Sequence, residues 1–271
     1  MASVSTTTRR LWLLPLAAAL LPLLATAIAY LLSIRLGLVP ACNPFFEGCV
    51  SISRAARYEL PNILFRGLML PAAVLQGLCW LLCPAWLRSL DAPPTRWRRL
   101  LPWLGITASA CLVLYASFLG TEGEGYRFMR RYGTAFYFGL TCIGMLIVSG
   151  EMQRLAAAGR RQRRISHALL ALCLALPLLG LVHVLVPLVL PGEAAQDALE
   201  NITEWWGGAI FTVFFFVLAW AWRATGFTAQ LQSDPRRLCG VACCKALTQN
   251  AARAARGQVL PFAFPLAKGK T

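Results

Sequence analysis

Runs of apolar residues separated by short polar stretches repeat along most of the chain. Each run is roughly 20 residues long, which is the length an α-helix needs to cross the hydrocarbon core of a bilayer. The pattern predicts an all-α fold, a six-transmembrane-helix bundle. The predicted spans cover residues 11–33, 61–87, 100–119, 132–152, 166–190 and 202–222.

The polar stretches divide the chain further. Residues 34–60 form the longest predicted loop between spans, residues 1–10 a short N-terminal segment, and residues 225–271 a basic tail predicted to be flexible. The first apolar run also resembles a signal peptide, because basic residues precede it and small residues follow. Its length exceeds that of a signal-peptide core, so we favour an uncleaved span.

Composition supports the membrane assignment. Hydrophobic residues make up 58% of the 271 residues and charged residues only 14%, with a mean hydropathy of +0.61. A soluble domain carries about a quarter charged residues. The net charge of +15 would indicate nucleic acid in a soluble protein. Here the basic residues flank the spans, which is typical of topology signals and of contact with anionic lipids, so no nucleic-acid partner is predicted.

The distribution of positive charge predicts the orientation. In the six-span topology, 19 of the 26 Lys and Arg residues fall on the side that holds both termini. Cytoplasmic loops carry this excess, so both termini are predicted to be cytoplasmic. Arg160, Arg161, Arg163 and Arg164 form a basic cluster on that side, which could recruit an acidic protein partner or hold anionic lipid.

The outer loops contain charged residues next to the membrane surface. Arg54 and Arg57 are three residues apart, so on a helical turn they would share a face and could hold a phosphate. Alternatively, the arginines pair with carboxylates and hold the outer loops together. Both interpretations predict an outer polar cluster made of Glu47, Arg54, Arg57, Glu59, Arg66, Arg127, Arg130, Arg131 and Glu204.

Cys42 and Cys49 lie in the first outer loop. Disulfides persist on the outer side of a membrane, and the spacing would close a small loop around Asn43–Gly48. We therefore predict a disulfide, with two unpaired, partly buried thiols as the alternative.

Two ionisable residues in or near spans are weak catalytic candidates. Glu204 precedes Trp205 and Trp206 at the start of the sixth span, where an arginine from the loop at residues 121–133 could pair with it. His183 lies deep in the fifth span. No set of ligands with metal-binding spacing and no nucleotide-binding or nucleophile motif accompanies them, so we predict neither metal nor cofactor.

Several of these features resemble the Frag1/DRAM/Sfk1 family. They are the Ser51–Ser53 tripeptide in the first outer loop, the approach to span two through Pro61, Phe65 and Arg66, the charged loop before span four, and Glu204-Trp205 opening span six. The resemblance covers residues 8–225. It implies six spans with both termini inside and a role in membrane lipid biology: GPI-anchor lipid remodelling, phosphoinositide-kinase recruitment or autophagy regulation. It also implies the plasma membrane, or the inner membrane in a bacterium.

Together, the residues and the resemblance predict a protein that binds or organises lipid head groups at its outer loops without catalysis. Membrane lipids are the predicted partners. The first alternative is a membrane enzyme that remodels lipid acyl chains, and the second is a small transporter.

Overall fold

The computed structural model describes residues 5–189 and 192–233. Six long helices dominate this part of the chain, and all six are long and apolar enough to cross a membrane. The chain is therefore an integral, multi-pass membrane protein, and the predicted all-α, six-helix fold is confirmed. The long helices are α1 (Leu13–Arg35), α3 (Glu59–Arg88), α4 (Leu101–Phe118), α5 (Glu124–Arg154), α6 (Arg160–Val189) and α7 (Glu193–Ala224).

The long helices form a closed ring, because each one packs against the next and α7 returns to α1. Each long helix runs from one end of the bundle to the other, so the loops alternate between two ends. We call the end that carries residues 36–58 the cap end, and we call these residues the cap. The cap includes a short helix, α2 (Ile52–Ala55). The opposite end, where α1 begins and α7 ends, is the terminal end. That it faces the cytoplasm stays a prediction.

Large aromatic side chains fill the half of the bundle near the terminal end. Trp80 stacks on Phe214 with ring centroids 5.5 Å apart. The backbones of α4 and α5 approach this indole at Gly105 and Gly144, where a Cβ atom would press against it. Completely or almost completely buried aromatic residues in this half are Trp80, Trp86, Phe214, Phe215 and Trp222.

The half near the cap end has a different core. Many of its buried residues are alanines, which contribute little side-chain volume between the helices. The buried alanines are Ala25, Ala29, Ala56, Ala72, Ala73, Ala108 and Ala116.

Three helices begin earlier than the apolar runs do. Helices α5, α6 and α7 begin at Glu124, Arg160 and Glu193, so polar residues predicted as loops are helical. Hydropathy detects only the apolar part of a helix. The polar extensions contain good helix formers, and an acidic residue in the first turn of α5 and of α7 suits the positive end of the helix dipole.

A two-stranded sheet pairs β1 (Ser5–Arg10) with β2 (Thr228–Ser233). The tail predicted to be flexible from residue 225 thus includes a strand. Residues 234–271 of that tail and residues 1–4 of the N-terminal segment lie outside the described residues.

Candidate functional site

The cap is attached to the first turns of α7 by hydrogen bonds. Four side chains of α7 form hydrogen bonds with backbone atoms of the cap. These are Asn201 Nδ2 to Gly48 O (2.7 Å), Trp205 Nε1 to Val50 O (2.9 Å), Trp206 Nε1 to Phe45 O (3.1 Å) and Ser53 N to Glu204 Oε1 (3.2 Å).

The cap is also closed internally. Cys42 and Cys49 form a disulfide, with their Cα atoms 6.6 Å apart. The hydroxyl of Tyr30, on α1, donates to the Cys42 carbonyl at 2.6 Å, and Glu47 accepts from the Asn43 amide at 2.6 Å. The cap is therefore held to α1 on one side and to α7 on the other.

Gly48 permits the close approach of the cap to α7. Its φ of +63° lies in the left-handed region, and a Cβ atom there would overlap the backbone of Ala198. The Asn201 bond to its carbonyl needs this approach. Asn201 opens a glycosylation sequon with Thr203, but its amide is already used in the contact with the cap.

Aromatic rings pack together between the cap and the helices. Phe45 contacts Trp205 and Trp206 with centroid distances of 5.4 and 5.3 Å, and Tyr30 contacts Trp205 at 5.4 Å. The two tryptophans contribute in two ways: their rings pack against these aromatic side chains, and their indole N–H groups donate to the cap.

A cavity of about 540 Å³ lies under the cap, inside the ring of helices. Helices α1, α3, α4, α5 and α7 all contribute to its lining, and Phe45 and Ile52 of the cap cover it. On α7 it extends from Glu204 to Phe216, which corresponds to about 18 Å along the helix axis. Its volume is in the range of small-molecule binding sites.

The lining of this cavity is mainly apolar, and the hydroxyls of Thr26, Thr134 and Thr212 within it donate to carbonyls of their own helices. Glu204 lies near the cap and accepts from the Ser53 amide, and Gln76 and Tyr137 lie deeper. The Tyr137 hydroxyl donates to Gln76 Oε1 at 3.0 Å. Gln76 Nε2 donates to the Ala18 carbonyl at 3.4 Å, which has lost its usual helical donor because residue 22 is a proline. Gln76 and Tyr137 are thus bonded within the protein.

The cavity reaches the surface of the bundle between α1 and α7. Lining residues on these two helices are substantially exposed: Leu23 by 46%, Leu31 by 60% and Val213 by 43%. In a bilayer these side chains contact lipid. The cavity therefore opens laterally toward the acyl chains rather than only toward water.

A second hollow, a groove of about 450 Å³, lies between α5, α6 and α7. His183 lines it, and its Nδ1 atom is 3.4 Å from Thr203 Oγ1. The Thr203 hydroxyl donates to the Glu200 carbonyl at 2.9 Å. Because that hydrogen is already engaged, Thr203 is not arranged as a nucleophile with His183 as its base.

The arginines of the outer polar cluster do not line either hollow. Arg54 is exposed on α2, whereas Arg57 follows the end of that helix, so the two do not share a helix face as expected. Arg57 forms no ion pair with Glu204, because the two charged groups are more than 4.0 Å apart. Its Nε atom is buried and has no hydrogen-bond partner among the described residues.

The arginines expected to pair with Glu204 lie elsewhere. Arg130 donates to the carbonyls of Phe118 and Thr121 and so caps the end of α4. Arg127 and Arg131 are exposed on α5, Glu47 and Glu59 are exposed near the cap end, and Arg66 is half-buried on α3. Glu204 receives a backbone N–H of the cap in place of an arginine.

Charges at the terminal end have local roles. Arg160, Arg161, Arg163 and Arg164 are exposed on the first turns of α6, and Arg161 donates to the Ala224 carbonyl at 2.7 Å. Glu151 pairs with Arg154 at 3.7 Å and accepts from Thr95 at 2.5 Å. Within residues 5–189 and 192–233 this is the one ion pair shorter than 4.0 Å.

Sequence reasoning missed several residues that build the site. Gln76 is a lone amide in an apolar run, which is a detectable signal because polar residues inside spans are costly. Asn201, Trp205 and Trp206 give no comparable local signal for a contact with residues of the cap. Their contacts with the cap depend on the fold, since the partners are more than 150 positions apart in the chain.

Comparisons with known proteins add no assignment. No protein-family model, no curated protein and no solved structure matches this chain. The resemblance to the Frag1/DRAM/Sfk1 family therefore stays a prediction from the sequence. The chain is described by its architecture: an integral membrane protein of six long helices, five of which line a capped, laterally open cavity.

Proposed function

We propose that this protein binds a membrane lipid, placing an acyl chain in the central cavity and the head group at the cap end, without catalysing a reaction. The lateral opening between α1 and α7 is the observation that carries the proposal. It gives lipid chains direct access to a mainly apolar space.

The dimensions of the cavity suit this ligand. Its extent along α7 is about 18 Å. One leaflet contributes roughly 15 Å, half of the hydrocarbon thickness of a bilayer. A chain that enters from the bilayer would exchange contacts with other lipids for contacts with fixed aromatic and aliphatic side chains.

The cap end suits a head group. Glu204 is the charged residue in the described lining of the cavity, and Arg54 and Arg57 lie in the adjacent part of the cap. A polar head group there would remain near the membrane surface, while the chain extends toward Gln76. This proposal keeps the predicted role of the outer loops and moves the centre of the site from the arginines to Glu204.

A lipid role agrees with what the resemblance to the Frag1/DRAM/Sfk1 family implies. Within that proposal, the protein would hold or present a lipid to other membrane components. The plasma membrane, or the inner membrane of a bacterium, remains the proposed location.

The acyl-remodelling alternative is favoured by one observation, the presence of Glu204 in the lining of an apolar cavity. An enzyme also needs an activated nucleophile or water, and the Thr203–His183 pair does not supply one. The transporter alternative requires a path through the bundle. Buried Trp80, Trp86 and Trp222 fill the terminal half, so the described residues form no polar route from the cavity through it.

Native mass spectrometry of gently purified protein tests the proposal. Thr134 lines the cavity, whereas its neighbour Ala135 is exposed and does not. Thr134→Phe should fill the space and reduce retained lipid by about tenfold, corresponding to 1.4 kcal/mol. Ala135→Phe, with the same added ring on the bilayer side, should retain lipid as the wild type does. Equal retention in both variants would contradict the proposal.

Two further variants locate the head group in the same experiment. Glu204→Gln should change which head group is retained, and Arg54→Ala/Arg57→Ala should have a smaller effect because these side chains lie outside the cavity. Steady turnover of a lipid substrate by the wild type, abolished in a folded Glu204→Gln variant, would establish the enzyme alternative instead.

A further inference from the structure

The central cavity and the groove lie on two sides of the same segment of α7. Gly208 and Thr212 line the cavity, and Thr203 and Gly207 line the groove. Glu204 and Phe211 of α7, together with Phe138 of α5, line both. The two hollows therefore share these three side chains as a common wall, and Glu204 is the one of them that carries a carboxylate.

We propose that the two hollows bind a single two-chain lipid, with one acyl chain on each side of α7 and the head group beside Glu204. This inference rests on the proposed function and specifies its ligand. A lipid with one chain would fill the cavity and leave the groove empty.

The geometry of the groove matches that of the cavity. Along α7 it extends from Glu200 to Phe211, or about 16 Å, close to the length of the cavity. Its polar residues, Glu200, Thr203 and His183, lie toward the cap end, and the deeper lining is apolar. Both hollows thus have a polar end at the same level, as two chains attached to one head group require.

Adjacent glycines leave the space on each side of α7. A Cβ atom at Gly207 would lie 3.6 Å from Phe138 Cε1, and one at Gly208 would lie 3.3 Å from Ile52 Cδ1. Larger side chains at these positions would therefore extend into the two hollows. Because glycine has no side chain, these two positions leave room for an acyl chain on each side of α7.

Electrostatics indicate which head groups fit. Among the described lining residues, the carboxylates are Glu200 and Glu204, and none is Lys or Arg. Carboxylates accept hydrogen bonds and attract cations, so the head group should present a donor to Glu204. An ammonium or a hydroxyl group would serve, whereas a head group of net negative charge beside two carboxylates would be repelled.

Glycines on α5 provide a matched test of the groove. Gly139 lines it, Gly150 lies on the same helix outside both hollows, and a Cβ atom at either position would meet nothing within 4 Å. Gly139→Leu and Gly150→Leu therefore add the same side chain at two positions where its Cβ atom is unobstructed. Leucine is also the better helix former, so both variants should fold.

The experiment adds lipids to delipidated protein and measures binding by native mass spectrometry. The probes are dioleoyl phosphatidylethanolamine, its single-chain lyso form, dioleoylglycerol and dioleoyl phosphatidylglycerol. Wild type and Gly150→Leu should bind the two-chain phosphatidylethanolamine at least about tenfold more tightly than the lyso form. Gly139→Leu should lose this preference and keep its affinity for the lyso form. If the wild type binds phosphatidylethanolamine more tightly than dioleoylglycerol, the hydrogen-bond donor of the head group is an ammonium. If it binds dioleoylglycerol more tightly, the donor is a hydroxyl group.

Two outcomes would overturn the inference in distinguishable ways. If Gly139→Leu keeps the wild-type preference for two chains, the groove does not hold the second chain, while single-chain occupation of the cavity still stands. If Thr134→Phe and Ala135→Phe bind every probe as the wild type does, the cavity itself is not a lipid site and the proposed function fails as well. Preferential binding of phosphatidylglycerol by the wild type would contradict the assigned head-group chemistry.

Discussion

The two halves of the helical ring are built differently. Near the terminal end, tryptophan and phenylalanine side chains fill the space between helices, and glycines let neighbouring backbones close around Trp80. Near the cap end, alanines dominate the core, and a cavity of about 540 Å³ remains. The difference indicates that one half supplies stability through packing, whereas the other half preserves a space under a cap that polar bonds and a disulfide hold in place.

The largest expected effect comes from emptying the filled half. Trp80→Ala should lower the free energy of unfolding by about 3–5 kcal/mol, because it removes a buried ring together with its stacking contact with Phe214. Trp103→Ala is the matched control, since this indole is 72% exposed. Denaturant titration in detergent micelles measures both. Similar losses for the two variants would contradict the description of this half as the packed core.

The next largest effect concerns the fit of the cap on α7. Gly48→Ala and Gly37→Ala both place alanine at positive φ, which costs about 1–2 kcal/mol in each. Only Gly48→Ala also overlaps the Ala198 backbone, so the cap should detach in that variant alone. Hydrogen exchange of residues 45–56 should rise strongly in Gly48→Ala. Equal exchange in the two variants would show that the close approach is not needed.

A smaller effect is expected from one hydrogen bond of the cap. Trp205→Phe keeps a ring but leaves the Val50 carbonyl without its donor, which should destabilise the cap by about 1 kcal/mol. Trp206 is 39% exposed, so water can replace its bond to Phe45 in Trp206→Phe. Exchange at the Val50 segment should therefore increase more for Trp205→Phe, and the reverse order would place the main attachment at Trp206.

The smallest effect is expected at the terminal end. Arg161 donates to the last carbonyl of α7, a favourable position for a cation, so Arg161→Ala should cost about 0.5 kcal/mol. Arg163→Ala, on the same turn and exposed, should cost less. The same denaturant titration compares them, and an equal loss would assign the effect to the net charge of the basic cluster rather than to the bond.

Features that depend on nearby residues could be predicted from the sequence. The six helices follow from the length of the apolar runs, and the proximity of Cys42 and Cys49 follows from their short separation. The partner of Glu204 could not be predicted in this way. Charge complementarity indicated an arginine, but the fold brings the Ser53 amide to the carboxylate and leaves the nearest guanidinium beyond 4.0 Å.

The cavity could not be predicted from the sequence pattern either. Alanines in an apolar run are equally compatible with helices that pack closely together and with unfilled space between helices. Which of these holds depends on how five helices are spaced around them, and on the cap that closes the top. Gln76 offered a local signal, but its role became clear only once its bonds to Tyr137 and to the carbonyl freed by Pro22 were visible.

Photo-crosslinking with a diazirine-labelled phospholipid tests the central claim most directly. If a chain enters the cavity, label should appear on lining residues that bulk lipid cannot reach, such as Met69, Tyr115 and Phe211, each less than a tenth exposed. It should appear as well on outward-facing residues such as Leu178 and Val184, each 61% exposed. Labelling confined to the outward-facing residues would show that the cavity does not admit lipid.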